Sequence, residues 1–188
     1  MLSDLSKDGK MIKSIKLDYD YSALLNADYE QHSGSCIKHQ VHELTDIHEQ
    51  YGGFPSTYTI KNTLIHQLWW DNTQIDFVDI GQQLGMEVVT VSTICQPPGN
   101  VVPLHRDTFF QINQRYPDRK ELKVRANIFL EDWKMGHMIQ YNENDKWSTS
   151  ADWQQGDGFM WDSSIVHLSA NAGFENKYTL QISGFLLE

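Results

Sequence analysis

Cysteine is scarce in this chain. Two occur in 188 residues, Cys36 and Cys95, far apart and in no CxxC pattern. A disulfide framework or a zinc ribbon is not expected; two reduced, mostly buried thiols are. Long apolar runs are missing too, and no stretch is long enough to span a bilayer. Residues 1–16 carry scattered lysines but lack the apolar segment of a signal peptide. No Asn-x-Ser/Thr acceptor occurs. Together these absences point to a reducing cytoplasm and away from a membrane. Basic residues are few, with Lys+Arg 15 against Asp+Glu 25, a formal charge of −10 spread along the chain. A nucleic-acid backbone is therefore not expected as the main partner, because such binding needs clustered Lys and Arg. Repeats, linkers and low-complexity segments are absent, so residues 1–188 read as a single domain.

The chain that remains divides in character near residue 85. Residues 11–17 suggest a lead-in strand and residues 21–31 a short helix. Val41, Leu44, Ile47 and Tyr51 recur at helical spacing over 39–51, with Gly52-Gly53 as the stop. Thr57, Tyr58, Thr59 and Ile60 favour a strand within 54–68, and 72–84 reads as a helix ended by Gly85. From Met86 onward, β-branched runs alternate with turn signals. Val88–Ile94, the turn at 97–100, the run 101–107, a charged loop at 113–120, KVRANIFL at 123–130, then 137–141, 159–161, 165–170 and 178–187 give about eight short strands. That pattern predicts an antiparallel barrel or jelly roll over 86–188. Residues 1–85 supply helices and strands that support it from outside.

The chemistry concentrates in VVPLHRDTFF at 101–110. His105 and Asp107 are separated by one residue, and in an extended strand positions i and i+2 point the same way. An imidazole and a carboxylate side by side can occupy two adjacent positions around a metal. His167 is the best third ligand, since it follows the turn at 156–158 and precedes a cation, Lys177, by ten residues. His137 is a rival third ligand without that context. With 8 His and 25 acidic residues, about one His-x-Asp/Glu arises by chance, and on spacing alone both histidines can be hydrogen-bonded core or surface residues. Two His and one carboxylate on one face of an octahedral ion leave three open positions, the arrangement of non-haem Fe(II) oxygenases.

Taken together, His105-Arg106-Asp107, His167 and Lys177 resemble the pattern of the Fe(II)- and 2-oxoglutarate-dependent dioxygenases. The tail GDGFMWDSSIVHLSANAGFENKYTLQISGF is similar to aspartyl/asparaginyl β-hydroxylase-like and prolyl hydroxylase-like members. The likeness covers 86–188. It implies a mainly β fold, a double-stranded β-helix of the jelly-roll or cupin type, and the cosubstrates 2-oxoglutarate and O2. It also implies that His105, Asp107 and His167 bind iron and that Lys177 anchors the distal carboxylate of 2-oxoglutarate. Thr179, two residues along the same strand, faces the same way and can add a hydroxyl. Arg125 alternates with Asn127 in KVRANIFL, so both face the interior, and an inward Arg needs an anion. Either 2-oxoglutarate or a structural carboxylate meets that need. The sequence departs from the family's commoner form in carrying Lys177 where Arg is usual, which gives a point charge and not a fork. The β-hydroxylase-like members often lack the metal carboxylate, which Asp107 supplies here. The implied activity is hydroxylation of a polypeptide side chain or a small metabolite, with succinate and CO2 as coproducts. A cupin-like module that binds a metal or ligand without turnover, and a cupin enzyme that needs no 2-oxoglutarate, are the rivals.

Other residues carry plainer expectations. His39, His42 and His48 fall on the predicted helix at spacings that do not form a two-histidine zinc site, and read as solvated. The six tryptophans read mostly as core or barrel-rim packing, with Trp161 a candidate to border the pocket. Phe109 and Phe110, next to Asp107, are candidates to wall its substrate side or to pack in the core. Lys7, Lys10, Lys13 and Lys16 read as a solvated end.

Overall fold

The computed structural model describes residues 11–35 and 45–187. Cys36, His39 and His42, with Lys7, Lys10, Val41 and Leu44, lie outside the described residues. No helix among the described residues is long and apolar enough to cross a membrane.

Eight strands in the C-terminal part interleave between two sheets. They are β4 (Met86–Gln96), β5 (Asn100–His105), β6 (Lys123–Phe129), β7 (His137–Glu143), β8 (Lys146–Ser150), β9 (Asp157–Trp161), β10 (His167–Asn171) and β11 (Lys177–Leu186). The order β9-β6-β11-β4 forms the larger sheet and β5-β10-β7-β8 the smaller, every pairing antiparallel. This is the jelly-roll arrangement of a double-stranded β-helix. Three earlier strands lengthen the larger sheet at its two edges. β1 (Ile12–Lys16) adds to β9, while β3 (Leu64–Trp70) and then β2 (Ser33–Ser35) add to β4.

Side chains alternate across a strand, and here the alternation separates two environments. Along β6, Val124, Ala126 and Ile128 are fully buried on the outer face, while Arg125, Asn127 and Phe129 line the interior. Along β11, Leu180 and Ile182 point outward, and Lys177, Thr179, Gln181 and Ser183 point inward. The interior of the barrel is therefore largely polar, and the main apolar core lies behind the larger sheet. The N-terminal region covers that core with α1 (Ser22–Leu25) and α3 (Phe77–Leu84), which contribute Leu24, Ile80 and Leu84 beside Leu17 and Tyr21. Helix α3 starts where the Asp76 carboxylate accepts from the amides of Val78 and Asp79, both at 3.0 Å, and stops at Gly85 in the left-handed conformation. A smaller cluster of Phe129, Ile139, Trp153, Trp161 and Ile165 closes one part of the space between the sheets, with Phe129 and Trp153 stacked at 3.8 Å.

Several expectations need correction. The run 57–60 is not a strand; it lies in turns, and the strand begins at Leu64. Its β-branched residues are tied locally, since the Asn62 carboxamide accepts from the Thr59 amide at 2.7 Å and donates to Thr57 O. The helix expected over 21–31 is one turn, Ser22–Leu25, followed by a 3-10 turn at Glu30–His32. Within 39–51 the described part is α2 (Thr45–Gln50), and Gly52 and Gly53 do turn the chain with positive φ. The expected loop at 113–120 begins inside a helix, α4 (Phe110–Arg115), entered through Phe109 at φ 51. Strand β8 was not anticipated because KWSTS has no apolar alternation. It forms as an edge strand, joined to β7 by the two-residue turn Asn144-Asp145, both with positive φ.

Gly184 sits where β11 shifts register against β4. A Cβ there would lie 1.8 Å from the Glu87 carbonyl oxygen, so backbone must move to admit it. Gly184→Ala is expected to cost about 1–3 kcal/mol of folding stability, read as a lower midpoint in chemical denaturation. An unchanged midpoint would mean that this sheet junction yields freely.

Candidate metal centre

Two rows of residues, one from each sheet, face each other across the barrel. In the smaller sheet His105 of β5 pairs with His167 of β10, which pairs in turn with Tyr141 of β7. The two imidazole centroids are 4.2 Å apart. In the larger sheet Ser183, Arg125 and Trp161 are in register across β11, β6 and β9. Asp107 lies between the rows. One ligand atom each from His105, Asp107 and His167 falls within 4.8 Å of the others.

The expected reason for this meeting was an extended strand through Asp107. The strand ends at His105, and residues 106–109 turn away toward α4. The carboxylate returns to the histidines because it is held there. Arg125 donates from Nη1 to Oδ1 at 2.5 Å, and Trp161 donates from Nε1 to Oδ2 at 2.9 Å. Arg125 is itself oriented by Nε donating to Ser183 Oγ at 3.0 Å. The anion that an inward Arg125 requires is thus Asp107, and 2-oxoglutarate is not needed to explain its position. Trp161 borders the site as a hydrogen-bond donor, a role its sequence position did not reveal.

Both imidazoles are oriented by backbone carbonyls. His105 Nδ1 lies 2.8 Å from Pro103 O and His167 Nδ1 lies 3.1 Å from Ile165 O. A carbonyl only accepts, so each Nδ1 carries the proton and each Nε2 keeps its lone pair for a ligand role. Burial lowers the pKa of both rings, that of His167 to about 3, so both are neutral at pH 7. Burial pushes the Asp107 carboxyl up, but the Arg125 guanidinium and the Trp161 N–H outweigh it and hold the group below the ordinary carboxylate range. Two neutral nitrogen donors and one ionised oxygen donor are the ligand states that a divalent transition metal needs.

A cavity of about 570 Å³ joins this triad to Lys177, Thr179 and Gln96, within the roughly 300–1,000 Å³ typical of small-ligand sites. Lys177 is 3% exposed. Its ammonium donates to Met138 O at 3.0 Å, to Gln96 Oε1 at 3.4 Å and to Ser169 Oγ. No carboxylate pairs with it among the described residues. Burial pulls its pKa from 10.5 down to about 7. Ser169 lies two residues past His167 on β10, a separation of roughly 7 Å along a strand. That is about the reach of a five-carbon dicarboxylate with one end at the triad. Ser169 and Gln96 were not anticipated, although the same i, i+2 rule that relates Lys177 to Thr179 relates Ser169 to His167.

Phe109 is buried and Phe110 is 63% exposed, and both line the cavity. His137 is buried with Nε2 3.1 Å from Glu175 O, away from the triad. His48, expected to be solvated, is buried, with Nε2 2.9 Å from Leu104 O and its ring 4.7 Å from that of Phe54. It buttresses the strand that carries His105. Cys95 is a buried free thiol whose pKa burial pushes up to about 11.

No protein-family model matches the chain, and no curated protein matches it in sequence. Solved structures do match in shape. The non-heme alpha-ketoglutarate-dependent carbocyclase SnoK from nogalamycin biosynthesis superposes with a TM-score of 0.55 at 12% identity, over 97% of this chain and 85% of that one. A prolyl-4-hydroxylase from Pseudomonas putida matches with a TM-score of 0.48 at 16% identity, over 83% of this chain and 91% of that one. At such identity the likeness to SnoK is one of fold, the double-stranded β-helix.

If Trp161 positions a metal ligand, Trp161→Phe will weaken anaerobic Fe(II) binding by about 10–100-fold, measured by titration of protein whose melting curve shows it folded. Unchanged affinity would show that Arg125 alone suffices to hold Asp107.

Proposed function

We propose that this chain is an Fe(II)- and 2-oxoglutarate-dependent dioxygenase that hydroxylates a polypeptide side chain or a small metabolite. The observation that carries the reading is the combination, in one cavity, of the His105-Asp107-His167 triad with a buried lysine that has no acidic partner among the described residues. A metal-binding module without turnover, or a cupin enzyme without 2-oxoglutarate, has no use for an unpaired ammonium at that depth, where burying a charge is costly.

In this reading His105, Asp107 and His167 would hold iron. Bound Fe(II), with 2-oxoglutarate and O2, supplies the oxidising power for C–H hydroxylation, 2-oxoglutarate leaving as succinate and CO2. The chain's own residues bind and orient. Lys177 receives the distal carboxylate, Thr179 offers a hydroxyl beside it, and Arg125 keeps Asp107 ionised and aimed.

Anaerobic addition of Fe(II) and 2-oxoglutarate is expected to give a visible charge-transfer band, and Lys177→Ala to raise the 2-oxoglutarate Kd at least tenfold and to abolish succinate formation. Folded wild-type protein that shows no band would overturn the reading. The pH dependence follows from Lys177. Its free pKa is about 7, and binding a carboxylate requires the ammonium. Affinity is therefore full below pH 7 and falls as pH rises through it, by up to about tenfold per unit until the pKa of the complex is reached. Calorimetric Kd values at pH 6.5, 7.5 and 8.5 check this; a Kd flat across that range would show that the Lys177 ammonium does not titrate within it.

A further inference from the structure

We infer that the prime substrate is a small molecule with a flat apolar body and an anionic group, held by Trp69, Phe110 and Arg106; this rests on the dioxygenase reading above. Three observations converge. First, the cavity carries a charge opposite to that of the protein. The chain has 25 acidic and 15 basic residues, yet among the described residues those with charge that line the cavity are Arg106, Arg125, Lys177 and a single acid, Asp107. Asp107 neutralises Arg125, and Lys177 is assigned to 2-oxoglutarate, which leaves Arg106 for another anion. Cationic ligands meet no acceptor of charge there. A cleft lined by one sign also concentrates ligands of the other.

Second, Arg106 is available. Its side chain is 40% exposed, and its one ion pair among the described residues, Nη2 to Asp46 Oδ2 at 2.7 Å, is with a carboxylate that is 67% exposed. An exposed pair of this kind is weak, and the guanidinium makes no other hydrogen bond among the described residues. A carboxylate or phosphate can take the fork in two-point contact.

Third, two aromatic rings at the cavity are unburied. Trp69, on the β3 extension of the larger sheet, is 51% exposed, and Phe110, at the start of α4, is 63% exposed. Both line the cavity, and neither packs on another ring among the described residues. Ile65 and Ile94 line the same cavity as half-buried apolar surface. A planar apolar body gains most from such walls. Arg106 and the triad line the same cavity of about 570 Å³. An anionic group and a reacting carbon held within that one space favour a compact substrate over a side chain on a polypeptide.

The test uses the full chain, loaded anaerobically with Fe(II) and 2-oxoglutarate. Four probes are compared by calorimetry: 3-phenylpropanoate, its neutral amide, 3-phenylpropylamine, and a blocked tripeptide with central Phe. The expected order is anion tightest, the amine at least tenfold weaker, and the tripeptide weakest. In Arg106→Gln the anion should lose its advantage over the amide, while Arg106→Lys keeps part of it. Phe110→Ala should weaken anion and amide alike. Equal or tighter binding of the amine or the tripeptide, no binding of the anion, or a preference for the anion that survives Arg106→Gln would each overturn the inference. Failure to form the charge-transfer band before any probe is added would instead overturn the dioxygenase reading and this inference with it.

Discussion

The ionised carboxylate of Asp107 is the constraint around which the interior is built. At 4% exposure its desolvation costs several kcal/mol unless it is compensated by charge and hydrogen bonds. The compensation comes from the larger sheet, through Arg125 and Trp161 on neighbouring strands in register, with Ser183 on a third strand fixing the guanidinium. Removing one partner would leave the other as an uncompensated buried charge. The three strands are thereby committed to placing polar groups inward. Their apolar positions must face the other way, and a sheet face of Val124, Ala126, Ile128, Leu180 and Ile182 cannot be left in water. Helices α1 and α3 answer that need. The N-terminal region and the site are thus linked through the pleat of one sheet.

The smaller sheet contributes in a different currency. Its histidines are neutral, and what it fixes is direction. Each Nδ1 proton is committed to a carbonyl two residues earlier in the chain, Pro103 O for His105 and Ile165 O for His167. The local backbone thus presets both rings before any partner arrives, which lowers the ordering cost of binding. Lys177 shows the opposite economy. Three neutral acceptors hold its position, but none carries a full charge, and the ammonium is correspondingly destabilised. In the proposed reading a carboxylate bound there restores what burial removes.

Much of this was legible in the residues, and the failures have physical causes. Strand β4 was plain because its β-branched run is long and bounded by Gly85 and Pro97. The meeting of His105, Asp107 and His167 was legible from spacing and resemblance, but strand periodicity does not place Asp107, because it says nothing about a chain that leaves its sheet one residue too soon. Its position is set by Arg125 and Trp161, which are 18 and 54 residues away, a distance at which single-sequence patterns are silent. Residues 57–60 misled because β-branched propensity describes a residue that fits a half-buried pleat, and here Asn62 ties the Thr57 and Thr59 backbone into local turns while Ile60 is exposed. His48 was read as solvated from its helical neighbours, when its burial depends on Leu104 across the fold.

A pure binding module must account for the same interior, and it does so poorly. A buried ion pair such as Arg125–Asp107 is weak evidence for stability, since well-packed apolar residues of similar volume are often as good or better. The fold has such residues in abundance on the other face of the same strands. A lysine without a countercharge is costlier still. Placing three of these groups, Asp107, Arg125 and Lys177, inside one 570 Å³ cavity leaves the chain less stable than an apolar filling would. That cost is intelligible where the groups act on something that enters. In the proposed reading a metal accounts for Asp107 and, through it, Arg125, and an anion at the far end of the cavity accounts for Lys177. The two together fit a ligand with a chelating end and a charged end, which a structural role does not call for.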